Sequence, residues 1–169
     1  MSITINEYKS LMPKLAEILP KGAFLTTSSG GKANTMTIGW GSFGFEWGIP
    51  TAEVMVRESR YTKSAMDTED SFTITFPLDD SMKSALSYCG QKSGRDTDKI
   101  LDCGLKIIPA KEVSAPVVAC KGLVLECKTI TRTAMDEKCV RPDILEKWYK
   151  SGDLHTFYFA EVVACYELN

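Results

Sequence analysis

Ser71-Phe-Thr-Ile-Thr-Phe76 alternates polar and apolar side chains without a break, the period-two signature of a β-strand with one buried face. It is the clearest of several such runs. Others lie at 23–27, 35–40, 52–57, 105–108, 121–131 and 156–167, and no regular alternation of strand with helix connects them. Strands in that pattern close on one another as an antiparallel barrel rather than a doubly wound parallel sheet. The expected fold class is mainly β (α+β), with short peripheral helices around the sheet. With no internal repeat or Pro/Gly-rich linker in 169 residues, one domain spanning 1–169 is expected.

The helical signals are brief. Ile5, Tyr8, Leu11, Leu15 and Ile18 recur with helical spacing, and Pro13 interrupts them, which predicts a kinked or two-piece helix. A short helix is expected from Arg60 to Thr68. Another opens at Asp79-Asp80, carries Met82, Ala85, Leu86 and Cys89 on one face, and stops before Gly90. Asp96 is the expected cap of a helix bearing Ile100 and Leu101, and Pro142 starts the last one. Ser28-Ser-Gly-Gly-Lys32 has the glycines of a hairpin turn. The return strand would set Met36, Ile38 and Trp40 on one face and Thr35 and Thr37 on the other. Phe72, Ile74 and Phe76 are expected inward, with Ser71, Thr73 and Thr75 outward.

Several function classes fall away. A formal net charge of -2 gives no reason to expect nucleic acid or an anionic membrane as partner. No apolar run reaches the length of a membrane span, and no cationic leader is visible. A cytoplasmic protein is the expectation. The six cysteines never form a C-x-x-C pair and one histidine, His155, stands alone, so no metal site is expected. A Walker pattern and a G-x-S-x-G elbow are absent, and Gly39-Trp-Gly-Ser-Phe-Gly44, though spaced as G-x-G-x-x-G, is not followed by a helical pattern, so a dinucleotide-binding Rossmann domain is not expected.

Three clusters carry the remaining chemistry. Asn34-Thr-Met-Thr-Ile-Gly-Trp-Gly41 offers polar groups at a strand edge and an indole for a flat ring. Val56-Arg-Glu-Ser-Arg-Tyr-Thr62 runs from a strand into a helix start, where unpaired N–H groups favour an anion. Cys89-Gly-Gln-Lys-Ser-Gly-Arg-Asp96 combines cations, a hydroxyl and a flexible glycine. An aromatic end and a phosphate end make the inventory of a mononucleotide flavin site. Lys92 near the N1/O2 edge of such a ring would favour the reduced anion. A charge pair worth about 4 kcal/mol caps that effect near +90 mV.

These segments, in this order, resemble the flavin reductase-like family with the FMN-binding split-barrel fold, particularly its flavoredoxin-type branch. The likeness runs from Gly22-Ala-Phe-Leu-Thr-Thr27 to Phe159-Ala-Glu-Val-Val163. It implies an antiparallel split β-barrel, a homodimer and bound FMN. Electrons would come from NADH, NADPH or a carrier and pass to a small-molecule or protein acceptor. A non-catalytic flavin carrier or sensor is the alternative. The resemblance assigns cofactor contacts to Asn34, Thr35, Met36, Thr37 and Trp40, and phosphate contacts to Arg57, Ser59, Arg60, Tyr61 and Thr62. Lys92 and Ser93 follow as further contacts, with Lys92 and His155 as catalytic candidates. One departure stands out: the family's usual Gly-Asp-His reads Gly152-Asp-Leu-His155 here, as if Leu154 were inserted, and Ala160 replaces a usual glycine.

Overall fold

The computed structural model describes residues 5–169, with the side chains of Ile5 and Ser29 outside the description. Five helices and nine strands follow one another within it. The first helix, α1 (Ile5–Ile18), runs unbroken through Pro13 and ends in a 3-10 turn at Leu19–Lys21. Pro13 faces solvent, where the carbonyl that loses its partner one turn earlier can bond water, so the expected break does not occur.

Strands β1 (Ala23–Ser29) and β2 (Lys32–Ile38) form a hairpin across Gly30 and Gly31, both at positive φ. Next come β3 (Gly41–Glu46) and β4 (Ile49–Arg57), then α2 (Tyr61–Thr68) and β5 (Ser71–Pro77). Helices α3 (Lys83–Gln91) and α4 (Lys99–Asp102) precede two short strands, β6 (Ile107–Ile108) and β7 (Val117–Val118). The long β8 (Gly122–Ala134), α5 (Pro142–Trp148) and β9 (His155–Leu168) complete the chain. Seven strands make one sheet in the order β2-β1-β5-β8-β9-β4-β3, antiparallel at every step. The β8–β9 ladder shifts register twice, at Glu126/Cys127 and Thr129/Thr131, and such bulges bend and twist a ribbon enough to roll a sheet up. The result is an antiparallel split β-barrel with short peripheral helices.

The core explains the roll. Leu25, Ile38, Val54, Phe72, Ile74, Phe76, Leu125 and Tyr158 meet Tyr8, Leu15 and Ile18 of α1. The Tyr8 hydroxyl donates to the Thr51 carbonyl at 2.5 Å, satisfying the one polar atom that α1 brings into this core. A second cluster, with Phe24, Leu86, Cys89, Leu105 and Val118, lies on the other side of β1.

Differences from the sequence pattern are local and have physical causes. All seven residues of β5 are buried, Ser71, Thr73 and Thr75 included, because the segment before β8 covers their face. Ser71 meets the Ser114 hydroxyl at 2.9 Å, and Thr73 donates to the Pro116 carbonyl at 2.6 Å. Trp40 lies beyond the end of β2 and is 40 % exposed, so it does not share the burial of Met36 and Ile38. Asp98, not Asp96, caps α4 by accepting from the Leu101 N–H. Gly90 falls inside α3, on the part of the helix that packs against Thr37 of β2.

Candidate functional site

Four chain segments converge at one end of the sheet. The end of β2 delivers Asn34 to Ile38 and then Trp40. The exit of β4 into α2 delivers Arg57 to Thr62. The loop from α3 to α4 delivers Gln91 to Asp98, and the turn from α5 into β9 delivers Trp148 to His155. Pairing of β4 with β9 sets Arg57 directly opposite His155.

Two adjoining hollows lie between them. The first, about 170 Å³, is lined by Met36, Thr37, Ile38, Trp40, Met55, Arg57, Arg60 and His155. Its walls mix aromatic and apolar side chains (Trp40, Met36, Ile38 and Met55) with the polar groups of Thr37, Arg57, Arg60 and His155. Trp40 meets Trp148 edge-on at 4.8 Å between centroids and His155 at 5.6 Å. The second, about 180 Å³, is lined by Ser59, Arg60, Tyr61, Thr62, Lys92, Ser93, Arg95 and Lys99. Met36, Arg57 and Arg60 border both, so the hollows form one run, with Trp40 in the first and the lysines in the second. Asn34 and Thr35 line a smaller recess of about 50 Å³ beside Tyr61 and Lys99.

Many of the anticipated contact groups already have protein partners. Thr35 is fully buried and bonds Thr26 and the Leu25 carbonyl. The Asn34 amide donates to the Thr62 hydroxyl at 2.9 Å, and Thr37 donates to the Leu86 carbonyl at 2.6 Å. Arg57 donates to the carbonyls of Asp153 and Trp148 and lies 5.1 Å from the Tyr149 ring centroid. It braces the α5–β9 turn. Ser59 gives both its N–H and its hydroxyl to the Asp153 carboxylate, at 3.0 and 2.7 Å. Arg60 spends one N–H on the Gly90 carbonyl at 2.8 Å, tying α2 to α3.

Lys92 sits in the cationic hollow, away from the residues that line the aromatic one. Among the described residues its ammonium makes no ion pair or hydrogen bond. Ser93 accepts from the Arg95 N–H, and Arg95 reaches back to the Ser59 carbonyl and stands over Tyr61. Gly94 is required here, since a Cβ would come within 2.5 Å of Asn34 Oδ1 and 2.6 Å of Tyr61 Cδ1.

His155 is enclosed, only 5 % exposed, with Nδ1 2.7 Å from the Tyr149 hydroxyl. Burial, then the neighbouring Arg57 guanidinium, lower its pKa from the usual value to about 4, with Asp153 opposing and Arg60 assisting. The imidazole is neutral near pH 7.

Sequence reasoning missed three contributors. Lys99 is 4 % exposed, yet its ammonium makes a single long bond, 3.5 Å to the Cys89 carbonyl, and burial lowers its pKa. Asp153 and Tyr149 act through the α5–β9 turn, which Gly152 allows at φ 74°. No periodic signal links them to Ser59 or His155. For Lys99 no periodic signal existed either, since α4 has only four residues and the adjoining Leu101 is exposed.

Comparison with solved structures finds the same architecture repeatedly. A flavoredoxin from Methanosarcina acetivorans is similar at 26 % identity and TM-score 0.66, over 86 % of this chain and 67 % of its own. A flavoredoxin of Desulfovibrio vulgaris is similar at 21 % identity and TM-score 0.68, over 86 % and 68 %. An FMN-binding domain of a flavin reductases-like enzyme from Shewanella baltica gives 19 % and 0.67, over 99 % and 76 %. No curated protein sequence matches the chain significantly. The model of the flavin reductase like domain matches residues 17–169, and the chain belongs to that family.

Proposed function

We propose that the chain binds FMN along the two joined hollows. As an oxidoreductase it would take electrons from NADH, NADPH or a carrier and pass them to a small acceptor or a protein. The observation that carries this reading is the arrangement of the joined space: the Trp40 indole and Met55 line only the first hollow, Lys92, Arg95 and Lys99 line only the second, and Arg57 and Arg60 border both. Neither hollow alone reaches the roughly 300 Å³ at which small-molecule pockets begin. Together they suit a ligand with a flat ring and an anionic tail.

The donor set fits that group. Lys99 is a buried cation with one long hydrogen bond, and a cation so placed is stabilised by a nearby anion. When bound, FMN supplies the two-electron chemistry. The protein's share is different: Trp40 covers the ring end and excludes water, the cations neutralise the phosphate, and neutral His155 offers a hydrogen bond. The Asn34–Thr62 pair holds β2 against α2 beside the second hollow, which Thr62 lines.

A homodimer in the cytoplasm completes the reading. The exposed Phe45 and Trp47 on the β3–β4 hairpin suit a partner copy. The test begins with the absorbance spectrum of purified protein titrated with FMN, followed by each nicotinamide nucleotide. Micromolar binding with bleaching of the flavin band is expected. No FMN binding removes the proposal, and binding without reduction by either nucleotide removes its donor half.

A further inference from the structure

His155 meets the protein through one ring nitrogen. The Tyr149 hydroxyl lies 2.7 Å from Nδ1, and the two rings cross nearly perpendicular at 5.5 Å. Both side chains are buried, and Arg57 closes the far side of the tyrosine ring. Among the described residues the Tyr149 hydroxyl has no second partner, and Nε2 has none either. Nε2 is nevertheless absent from the sealed polar atoms without partners, which are Thr27 Oγ1 and Thr75 Oγ1. It is therefore not fully sealed, and His155 is one of the residues that line the aromatic hollow.

A hydroxyl carries one proton, and a neutral imidazole carries one across two nitrogens. With Tyr149 donating to Nδ1, the ring proton must sit on Nε2, and every group is either paired or open to the hollow. The reverse arrangement leaves the hydroxyl proton without an acceptor, which is unfavourable for a buried donor. We propose that Tyr149 is a positioning residue that holds His155 in the Nε2–H tautomer, so that a neutral imidazole presents a fixed hydrogen-bond donor to the aromatic hollow. The identity of the acceptor there rests on the FMN reading above; the tautomer does not.

The groups facing the imidazole support its neutrality. Arg57 comes from β4, Arg60 from the start of α2, Asp153 from the turn before β9, and Tyr149 from the end of α5. Two cations and burial outweigh one carboxylate. His155 in this state donates a hydrogen bond without transferring its proton at neutral pH. It therefore stabilises charge on an acceptor and does not protonate it.

A single histidine makes the test unambiguous. The full-length protein, labelled at the histidine ring nitrogens, is measured by proton–nitrogen correlation NMR at neutral pH, flavin-free and with added FMN. The expected spectrum has a protonated Nε2 and an unprotonated Nδ1. Tyr149→Phe is expected to mix the tautomers and raise the titration midpoint of the ring. A protonated Nδ1, an imidazolium at neutral pH, or a Tyr149→Phe spectrum identical to wild type overturns the proposal. If Tyr149→Phe does not fold, the wild-type spectrum alone decides. A shift of the Nε2 proton on adding FMN supports the flavin as acceptor. The expected tautomer with no FMN response upholds the role of Tyr149 and overturns the flavin as its target.

Discussion

The Asp153 carboxylate accepts two hydrogen bonds from one residue, Ser59: one from its N–H at 3.0 Å and one from its hydroxyl at 2.7 Å. The start of α2, where an external anion was expected to settle, is thus held by an anion of the chain itself. Any phosphate in the adjoining hollow lies next to this carboxylate and is repelled by it. At about 4 Å in water-like surroundings the repulsion is worth about 1 kcal/mol. Asp153→Asn should tighten FMN about fivefold and leave riboflavin, which has no phosphate, unchanged. Calorimetric titration of both ligands checks it; equal gains for both would show that Asp153 does not act on the phosphate.

Trp40 and Lys92 line different hollows, so their removal should have different signatures. Trp40→Ala should weaken FMN and riboflavin alike, by roughly 1 kcal/mol from lost aromatic contact. Lys92→Ala should weaken FMN about fivefold with riboflavin unaffected, as expected for a single charge contact near 1 kcal/mol. The flavin potential should then stay close to the wild-type value. A drop approaching the ~90 mV ceiling would instead put Lys92 at the ring edge.

Lys99 offers a test with opposite signs. Burial lowers its pKa, so the unfolded chain binds more protons than the folded one as pH climbs toward the ordinary lysine value. Its contribution to stability therefore rises with pH through that window and is unfavourable below it. Lys99→Met should leave the flavin-free protein as stable or more stable at pH 7, while weakening FMN. Urea unfolding with and without FMN distinguishes this from a simple packing role, in which both forms would lose stability.

His155 should dominate the acid side. Its folded pKa is about 4 against about 6.5 unfolded, so the unfolded state binds the extra proton between those values. Stability attributable to the neutral ring is complete above about pH 6.5 and falls as pH drops toward 4, by on the order of 2–3 kcal/mol. His155→Gln should flatten that slope. Denaturation midpoints at pH 5 and pH 7 measure it; parallel losses in both proteins would assign the slope to other groups.

Gly94 packs where no side chain fits. Gly94→Ala should push the α3–α4 loop off Asn34 and Tyr61, destabilising by about 1–3 kcal/mol and weakening FMN more than riboflavin. Thermal melts paired with both titrations read the two effects separately.

Much of this was written in local chemistry. Alternation in Ser71–Phe76, the Gly30-Gly31 turn and the Pro142 helix start are short-range signals, set by side-chain period and backbone freedom, and the strands and turns formed where those signals lie. The clusters at Asn34, Arg57 and Lys92 were visible for the same reason, as were their polar and cationic characters. Their assembly was not. Ser59 and Asp153 are 94 residues apart, and Arg57 meets His155 only through the β4–β9 register. Which hydroxyls are already occupied, which cation is buried, and which nitrogen of His155 faces the hollow depend on contacts between distant elements. Local sequence determines what each segment can offer. Packing alone decides which of those offers remain open to a ligand, because a buried polar group takes the nearest partner that the closed sheet brings to it.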